Sequence, residues 1–295
     1  MSLPITGHTI LTGLLGSPVA HSLSPMMHNK AFQQLNLDYI YLCFDVDSDG
    51  LESAVHGLRT MHARGFNLTM PNKNRMPALC DRLSPVAELV GAVNTVVNDE
   101  GILTGHNTDG IGYMSALKDA GHDIIGKKMT LLGAGGAAAS IFVQAALDGV
   151  SEISIFNAHG NSFSRAQKII SQLHQRTNCR IHLYDFEDVS ILQREIQDSA
   201  ILTNGTPVGM FPDLDHCLIG DTSILRPPLI VSDIIYHPRE TKLLRLAKEN
   251  GCQTINGLPM LLYQGAKAFQ LWTHKEMPLS LIKEELFSYR FPRKL

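Results

Sequence analysis

Short apolar runs alternate with segments of helical spacing along the whole chain. Thr9–Leu15 reads as a strand, Ser24–Leu35 as a helix and Tyr39–Phe44 as a second strand. Gly65–Leu68 is a brief strand, and Ala92–Asn98 with Ile102–Thr104 has the alternation of a hairpin turning across Asn98–Gly101. Asp109–Ala120 has helical spacing, with Gly121 as a natural stop.

A second series opens at Lys128. Strand Met129–Leu132 leads through a glycine turn into helix Ala137–Asp148, then strand Glu152–Phe156, helix Phe163–Gln175 and strand Arg180–Leu183. Ala200–Thr203 and Leu229–Asp233 are further strands, and Leu258 to Tyr289 reads as two helices around Pro278. Parallel strands need crossover connections, so repeated βα alternation predicts an α/β fold with helices covering a parallel sheet. The simplest partition has residues 1–107 as a first α/β domain and 108–255 as a second, Rossmann-like, doubly wound one. The helices of 256–295 are expected to pack back on the first.

Composition narrows the function classes. The chain has 295 residues, 44% hydrophobic and 18% charged, which suits about two globular domains. A formal net charge of −3, with no run of Lys or Arg, gives no footprint for nucleic acid or an anionic membrane. Five scattered cysteines without a C-x-x-C pattern and thirteen histidines without H-E-x-x-H argue against a metal site and fit a reducing cytoplasm. The first basic residue is Lys30, and the apolar stretch Ile10–Leu15 is short and followed by Gly16-Ser17-Pro18, so no secretory signal is expected. No run of about twenty apolar residues occurs, so no membrane span is expected.

The glycine turn carries the first specific chemistry. Gly133-Ala134-Gly135-Gly136-Ala137-Ala138 fits G-x-G-x-x-A between an apolar strand and a helix. In a dinucleotide fold the first glycine makes the tight turn and the second lets the backbone approach a pyrophosphate. The third small residue allows close packing of helix on strand. The pyrophosphate then faces N–H groups at the positive end of the helix dipole. About twenty residues on, where an NAD-binding fold places an acid on the ribose, this chain has Asn157 followed by Ala158-His159-Gly160. A neutral amide would not repel a 2′-phosphate, yet no arginine immediately follows to clamp one; His159 and Arg165 are the nearby candidates. The cofactor is therefore NADP or NAD, with the preference open.

Three polar segments lie in the first series. Ser22-Leu23-Ser24-Pro25 reads as a helix start, with Ser24 as N-cap and Pro25 at N1. Asn67-Leu68-Thr69-Met70-Pro71-Asn72-Lys73 ends a strand in polar residues, and Asn107-Thr108-Asp109-Gly110 precedes a helix. Taken singly, Asp109 is a cap and Lys73 a surface lysine.

Together, in this order, the motifs resemble the shikimate dehydrogenase family. The resemblance rests on Ser22/Ser24, Asn67–Lys73, Ala92-Val93-Asn94-Thr95, Asn107–Gly110 and the glycine turn. It continues through Asn204–Met210, Asp233-Ile234-Ile235-Tyr236 and Gly257 to Gln264-Gly265-Ala266, so it spans essentially the whole chain. Met70-Pro71-Asn72-Lys73 and Tyr263 before Gln264 are closer in wording to its quinate/shikimate branch. The resemblance implies reversible NAD(P)-dependent reduction of 3-dehydroshikimate to shikimate, with quinate oxidation as an open second activity and a homodimer as an open assembly. It implies Lys73 and Asp109 as the catalytic pair, and Ser22 and Ser24, with Tyr236, at the substrate carboxylate. Thr69, Asn94, Asp109 and Gln264 would meet ring hydroxyls. Gly133, Ala134, Gly135, Gly136, Ala137 and Asn157 would hold the cofactor, with Thr206, Ile234 and Gly257 near its nicotinamide half. Two reactants positioned between two domains would make closure an expected step.

The residue types suit that chemistry. Reducing a ring ketone takes a hydride and a proton for the developing alkoxide. A lysine beside an aspartate stays an ammonium, so Lys73 reads as the proton donor of the reductive direction. Three other readings stand beside this one: a dedicated NAD-dependent quinate dehydrogenase, a folate-linked dehydrogenase, and a non-catalytic nucleotide sensor. The folate-linked enzyme gives no reason for the serine pair or for N-T-D-G, and a sensor has no need of Lys73 and Asp109.

Overall fold

The structure, a computed structural model, describes residues 4–290. They fall into two compact units: residues up to Gly112 together with those from Leu262 onward, and Tyr113–Leu261.

The first unit runs β1 (Ile10–Gly16), α1 (Ser24–Gln34), β2 (Tyr39–Asp45), α2 (Leu51–Thr60), β3 (Gly65–Leu68), β4 (Arg82–Leu83), α3 (Pro85–Val90), β5 (Thr95–Asp99) and β6 (Ile102–His106). Its sheet has the order β2-β1-β3-β5-β6-β4. β1 lies parallel to β2 and β3, where α1 and α2 supply the crossovers. β5 is antiparallel to β3 and to β6, as the hairpin pattern predicts. One face buries Leu15, Val55, Leu58, Phe66, Leu68 and Val96 against α2 and α3. Elsewhere in the unit an aromatic group forms from His28, Phe32, Tyr41, Phe269 and Trp272. Gly65 is obligatory beneath it: a Cβ there would lie 2.2 Å from the Trp272 indole nitrogen, which donates to Val96 O at 2.9 Å.

The edge strand β2 is closed by a side chain. The Asn29 amide on α1 donates to Tyr41 O at 2.9 Å and accepts from Tyr41 N at 2.8 Å. Both backbone groups would otherwise be open on a sheet edge. Asn29→Ala is expected to lower the unfolding free energy by about 2 kcal/mol, the loss of two hydrogen bonds in a half-buried setting, measurable by urea titration.

α4 (Asp109–Asp119) leads into the second unit: β7 (Lys128–Leu132), α5 (Gly136–Asp148), β8 (Glu152–Phe156), α6 (Asn161–Leu173), β9 (Arg180–Tyr184), α7 (Val189–Gln197), β10 (Ile201–Asn204), β11 (Ile230–Asp233), α8 (Lys242–Glu249) and β12 (Gln253–Ile255). Here every strand pair is parallel and the order is β12-β11-β10-β7-β8-β9. The chain enters at a central strand, winds outward to β9, then returns to build the other half from β10. That makes β7/β10 the switch point, and in such sheets the crevice lies outside the carboxyl ends of the strands there. α9 (Leu258–Thr273) and α10 (Leu279–Ser288) close the chain.

The division between units falls inside α4 and inside α9, past the expected boundaries at 107 and 255. Thr108, Asp109 and Gln264 therefore belong to the same unit as Lys73. Helices α2, α3, α7 and α8 and strands β4 and β12 are not among the elements expected from the sequence. In α7 the buried face is Leu192, Ile196 and a glutamate. Glu195 is 4% exposed, accepts from Ser154 Oγ at 2.7 Å and pairs with Lys128 Nζ at 2.6 Å. Burial works to raise its pKa, but the hydrogen bonds from Lys128, Ser154 and Arg194, with the Lys128 charge, bring it down to about 2. A charge satisfied inside the fold reads as a solvent-facing position in the sequence.

Candidate active site

The first unit gathers a polar cluster at the ends of β3 and β6. Lys73 stands on a short 3-10 turn, Asn72–Asn74, that follows β3. Its backbone is held by Val93 N, which donates to Lys73 O at 2.9 Å. The Lys73 ammonium donates to Asp109 Oδ2 at 2.7 Å, and the two side chains are 23% and 7% exposed. Asp109 opens α4, so its carboxylate sits at the positive end of that helix. The other carboxylate oxygen accepts from Asn94 Nδ2 at 2.8 Å. Asn94 is fixed in turn, accepting from Thr108 N at 2.8 Å and donating to Thr108 Oγ1 at 2.9 Å. It also reaches Gln264 Oε1 on α9 at 3.3 Å. α4 and α9 touch backbone to backbone here: a Cβ on Gly112 would lie 2.6 Å from Gln264 N.

A second set of hydroxyls is wired to this cluster. Ser24 was expected as an N-cap, but α1 begins at Ser24 with Leu23 in the cap position and no side-chain cap. The Ser24 hydroxyl instead acts on the Tyr41 phenol, drawing its pKa down against burial. Ser24 N donates to Ser22 Oγ at 3.2 Å. Proline at N2 and the short Ser22 turn start the helix without the cap, which leaves a hydroxyl for other work. Tyr41, fully buried on β2, donates to Asn67 Oδ1 at 2.8 Å. Burial first, then the Cys43 charge, pushes its pKa well above 10 against the pull of Ser24, so it stays a donor at any working pH. Asn67 Nδ2 then reaches Thr95 Oγ1 at 2.9 Å and Asn94 O at 3.1 Å, which joins the two sets. Thr69 packs where Gly16 allows it: a Cβ on Gly16 would lie 2.2 Å from the Thr69 methyl.

Lys73, Asp109, Asn94 and Gln264 thus stand in one chain of hydrogen bonds, which Thr95 and Asn67 carry on to Tyr41; Ser22 and Ser24 are tied to each other through Ser24 N. Tyr236 lies in the other compact unit. Sequence reading missed Tyr41, Asn67 and Thr108 as members. The last two lie inside the motifs already singled out; Tyr41 gives no signal, because a tyrosine in a strand reads as apolar alternation.

In the second unit the glycine turn leaves β7 with Gly133 at φ +98°, a conformation that favours glycine. A Cβ there would also strike the Thr206 methyl at 2.8 Å. Above Gly135 and Gly136 there is open space, with nothing within 4 Å of either Cβ position. Gly135 is the N-cap of α5 and supplies no side chain to its first turn. Open space over uncapped N–H groups suits a pyrophosphate. Ala138 fills the third small position, its Cβ 2.9 Å from where a Cβ of Gly205 would stand.

Asn157 serves the turn itself. Its Oδ1 accepts from Ala134 N at 2.9 Å, and its Nδ2 donates to Ser162 Oγ at 2.9 Å and to Ala158 O at 2.6 Å. The more open groups beside it are His159, 76% exposed and 3.3 Å from Asp185, and Arg165, half-buried on α6. Ile234 and Gly257 meet closely: a Cβ on Gly257 would fall 1.9 Å from Ile234 O. Among the described residues no group of three or more His, Cys, Asp or Glu side chains could hold a metal ion, and no helix is long and apolar enough to cross a membrane.

Two family models match the chain: a shikimate dehydrogenase substrate binding domain over residues 14–96, and a shikimate 5′-dehydrogenase C-terminal domain over 257–287. A Listeria innocua protein named shikimate dehydrogenase (NADP(+)) is 58% identical over 283 residues, 96% of this chain and 97% of that protein. The crystal structure of shikimate 5-dehydrogenase from Listeria monocytogenes in complex with shikimate and NAD is 57% identical. It superposes with a TM-score of 0.93, over 97% of this chain and 99% of that one. Quinate dehydrogenase from Corynebacterium glutamicum in complex with NAD reaches a TM-score of 0.85 at 28% identity, over 95% of this chain and 99% of that one.

Proposed function

This chain belongs to the shikimate dehydrogenase family, and on that premise we propose that it interconverts 3-dehydroshikimate and shikimate with NADP(H). The observation that carries the reading is the Lys73–Asp109 pair, at 2.7 Å with Asn94 fixing the second carboxylate oxygen. When bound, the nicotinamide supplies or accepts the hydride; the residues of this chain handle the rest. In the reductive direction the carbonyl π pair moves to oxygen as the carbon receives hydride, and the Lys73 ammonium gives that oxygen its proton. Asp109 accepts from the lysine and orients it. Asn94, Thr69 and Gln264 hold ring hydroxyls, and the hydroxyls of Ser22 and Ser24 take the carboxylate, with Tyr236 as a further donor to it.

Holding a carboxylate with neutral hydroxyls favours positioning over tight binding. Gly133, Ala134, Gly135, Gly136 and Ala137 hold the pyrophosphate, and Thr206, Ile234 and Gly257 the nicotinamide half. A cytoplasmic location goes with this reading.

The test is a two-by-two steady-state assay of shikimate and quinate, each with NADP+ and NAD+, followed by nicotinamide absorbance. Shikimate with NADP+ is expected to give the highest kcat/KM. A highest value for quinate with NAD+ would replace the reading by a dedicated quinate dehydrogenase, and no turnover in any arm by a nucleotide sensor.

Cofactor choice has its own test. Asn157→Asp keeps an acceptor for Ala134 N but places a negative charge beside the adenosine ribose and removes the donor to Ser162. The KM for NADP+ is expected to rise about tenfold more than that for NAD+, since only the former brings a 2′-phosphate to the charge. Equal changes for both cofactors would mean that the 2′ position is read elsewhere.

A further inference from the structure

Asp233 ends β11 with no solvent exposure, and its carboxylate is met by three neutral donors from three parts of the second unit. Ile235 N donates to Oδ1 at 3.0 Å. Thr241 Oγ1, the N-cap of α8, donates to Oδ2 at 2.7 Å. Asn204 Nδ2, at the end of β10, lies 3.2 and 3.1 Å from the two oxygens. Burial raises its pKa and these donors pull it part of the way back, to about 6. A buried charge adds little to stability compared with a well-packed apolar side chain. Its place is better explained by what it holds apart and together.

What it holds are the backbone segments at the carboxyl edge of the sheet. Asn204 Oδ1 accepts from Thr206 N at 3.0 Å and from Thr206 Oγ1 at 2.7 Å, and Thr206 Oγ1 accepts from Val208 N at 3.2 Å. Asn204 Nδ2 also donates to Val208 O at 3.2 Å, so residues 204–208 are curled around one amide that Asp233 orients. On the other side, Gly257 N donates to Ile235 O at 3.0 Å. The contact at Ile234 O leaves no room for a side chain on Gly257. The Thr206 methyl abuts Gly133, which brings the curl against the glycine turn. One carboxylate thus fixes the spacing between Thr206, Ile234 and Gly257.

We propose that Asp233 is a positioning residue for the nicotinamide half of the cofactor, acting only through the Asn204–Val208 and Ile234–Gly257 segments that it ties together. The proposal rests on the reading that the nucleotide binds the second unit. An amide at this position would turn a donor toward Asn204, Thr241 or Ile235 N, all of which already donate. The two segments would then part while the β7–α5 glycine turn, built on Gly133 and Asn157, stays as it is.

The experiment is calorimetric titration of the full chain with NADPH and with adenosine 2′,5′-bisphosphate, a ligand that lacks the nicotinamide half. Wild type, Asp233→Asn and Thr241→Val are compared. Asp233→Asn is expected to raise the Kd for NADPH about tenfold, the equivalent of one charge-assisted hydrogen bond, and to leave that for the bisphosphate unchanged. Thr241→Val, which removes a single donor, is expected to show the same split to a smaller degree and decides the matter if Asp233→Asn does not fold. Equal weakening of both ligands would reduce Asp233 to a structural acid and overturn the proposal, as would no change in either. Failure of the wild type to bind either ligand would instead sink the underlying nucleotide assignment.

Discussion

Lys73→Ala is expected to lower kcat about a thousandfold, within the range lost when a positioned general acid is removed, while the Kd for NADPH stays within about twofold. The first half follows from geometry. The Lys73 amine donates to a carboxylate whose other oxygen is already taken by Asn94, so no second residue of that cluster offers an acidic proton to a reacting oxygen. Serine, threonine, asparagine and glutamine groups bind hydroxyls but are far too weak as acids to replace an ammonium. The second half follows from the division of the chain. Lys73 belongs to one compact unit and the glycine turn to the other. The measurements are steady-state kinetics with shikimate and NADP+, and a fluorescence titration with NADPH. Turnover within tenfold of wild type would remove the lysine from the chemistry. A large rise in the NADPH Kd would mean that the loss came through the nucleotide.

At pH 5, His28→Leu is expected to stabilise the protein by about 2 kcal/mol and to move acid unfolding to lower pH. His28 is fully buried on α1, stacked on Tyr41 with ring centroids 4.5 Å apart and flanked by Trp272 at 5.2 Å. Neither ring nitrogen has a hydrogen-bond partner. Burial lowers its pKa from 6.5 to about 3.

The direction of the pH effect follows from that lowering. The unfolded chain takes up a proton below about pH 6.5, and the folded one does so only near pH 3. Stability is therefore fully present above 6.5 and falls by about 1.4 kcal/mol for each pH unit between those values. Leucine removes the titration and the two orphaned nitrogens at similar volume. Near pH 7.5 the variant should differ much less, by packing alone. Urea titrations at both pH values check this, and an equal shift at both would mean that His28 does not titrate on unfolding.

His28 faces inward in α1, which is expected from the sequence all the same, and Glu195 faces inward in α7, where a charge reads as a solvent-facing position. β7, β8 and β10 of the second unit are legible as short, mostly apolar runs in which the buried Thr130, Ser154 and Thr203 are small. Of the candidate site, the motif residues were legible since their order along the chain is itself informative. Tyr41 was not, because its importance lies in a partner 26 positions away, Asn67.

By itself the sequence determined the α/β class, the glycine turn between β7 and α5, and the identity of the polar residues that make the site. These depend on local spacing and on residue chemistry, both of which are written in order along the chain. Only the tertiary structure decided which residues act as a set. Ser24 lies inside α1 rather than at its N-cap, Asn157 holds the turn, and Asp109 and Gln264 stand with Lys73. Hydrogen bonds are satisfied by whatever lies within about 3 Å, and folding brings that partner from anywhere in the chain.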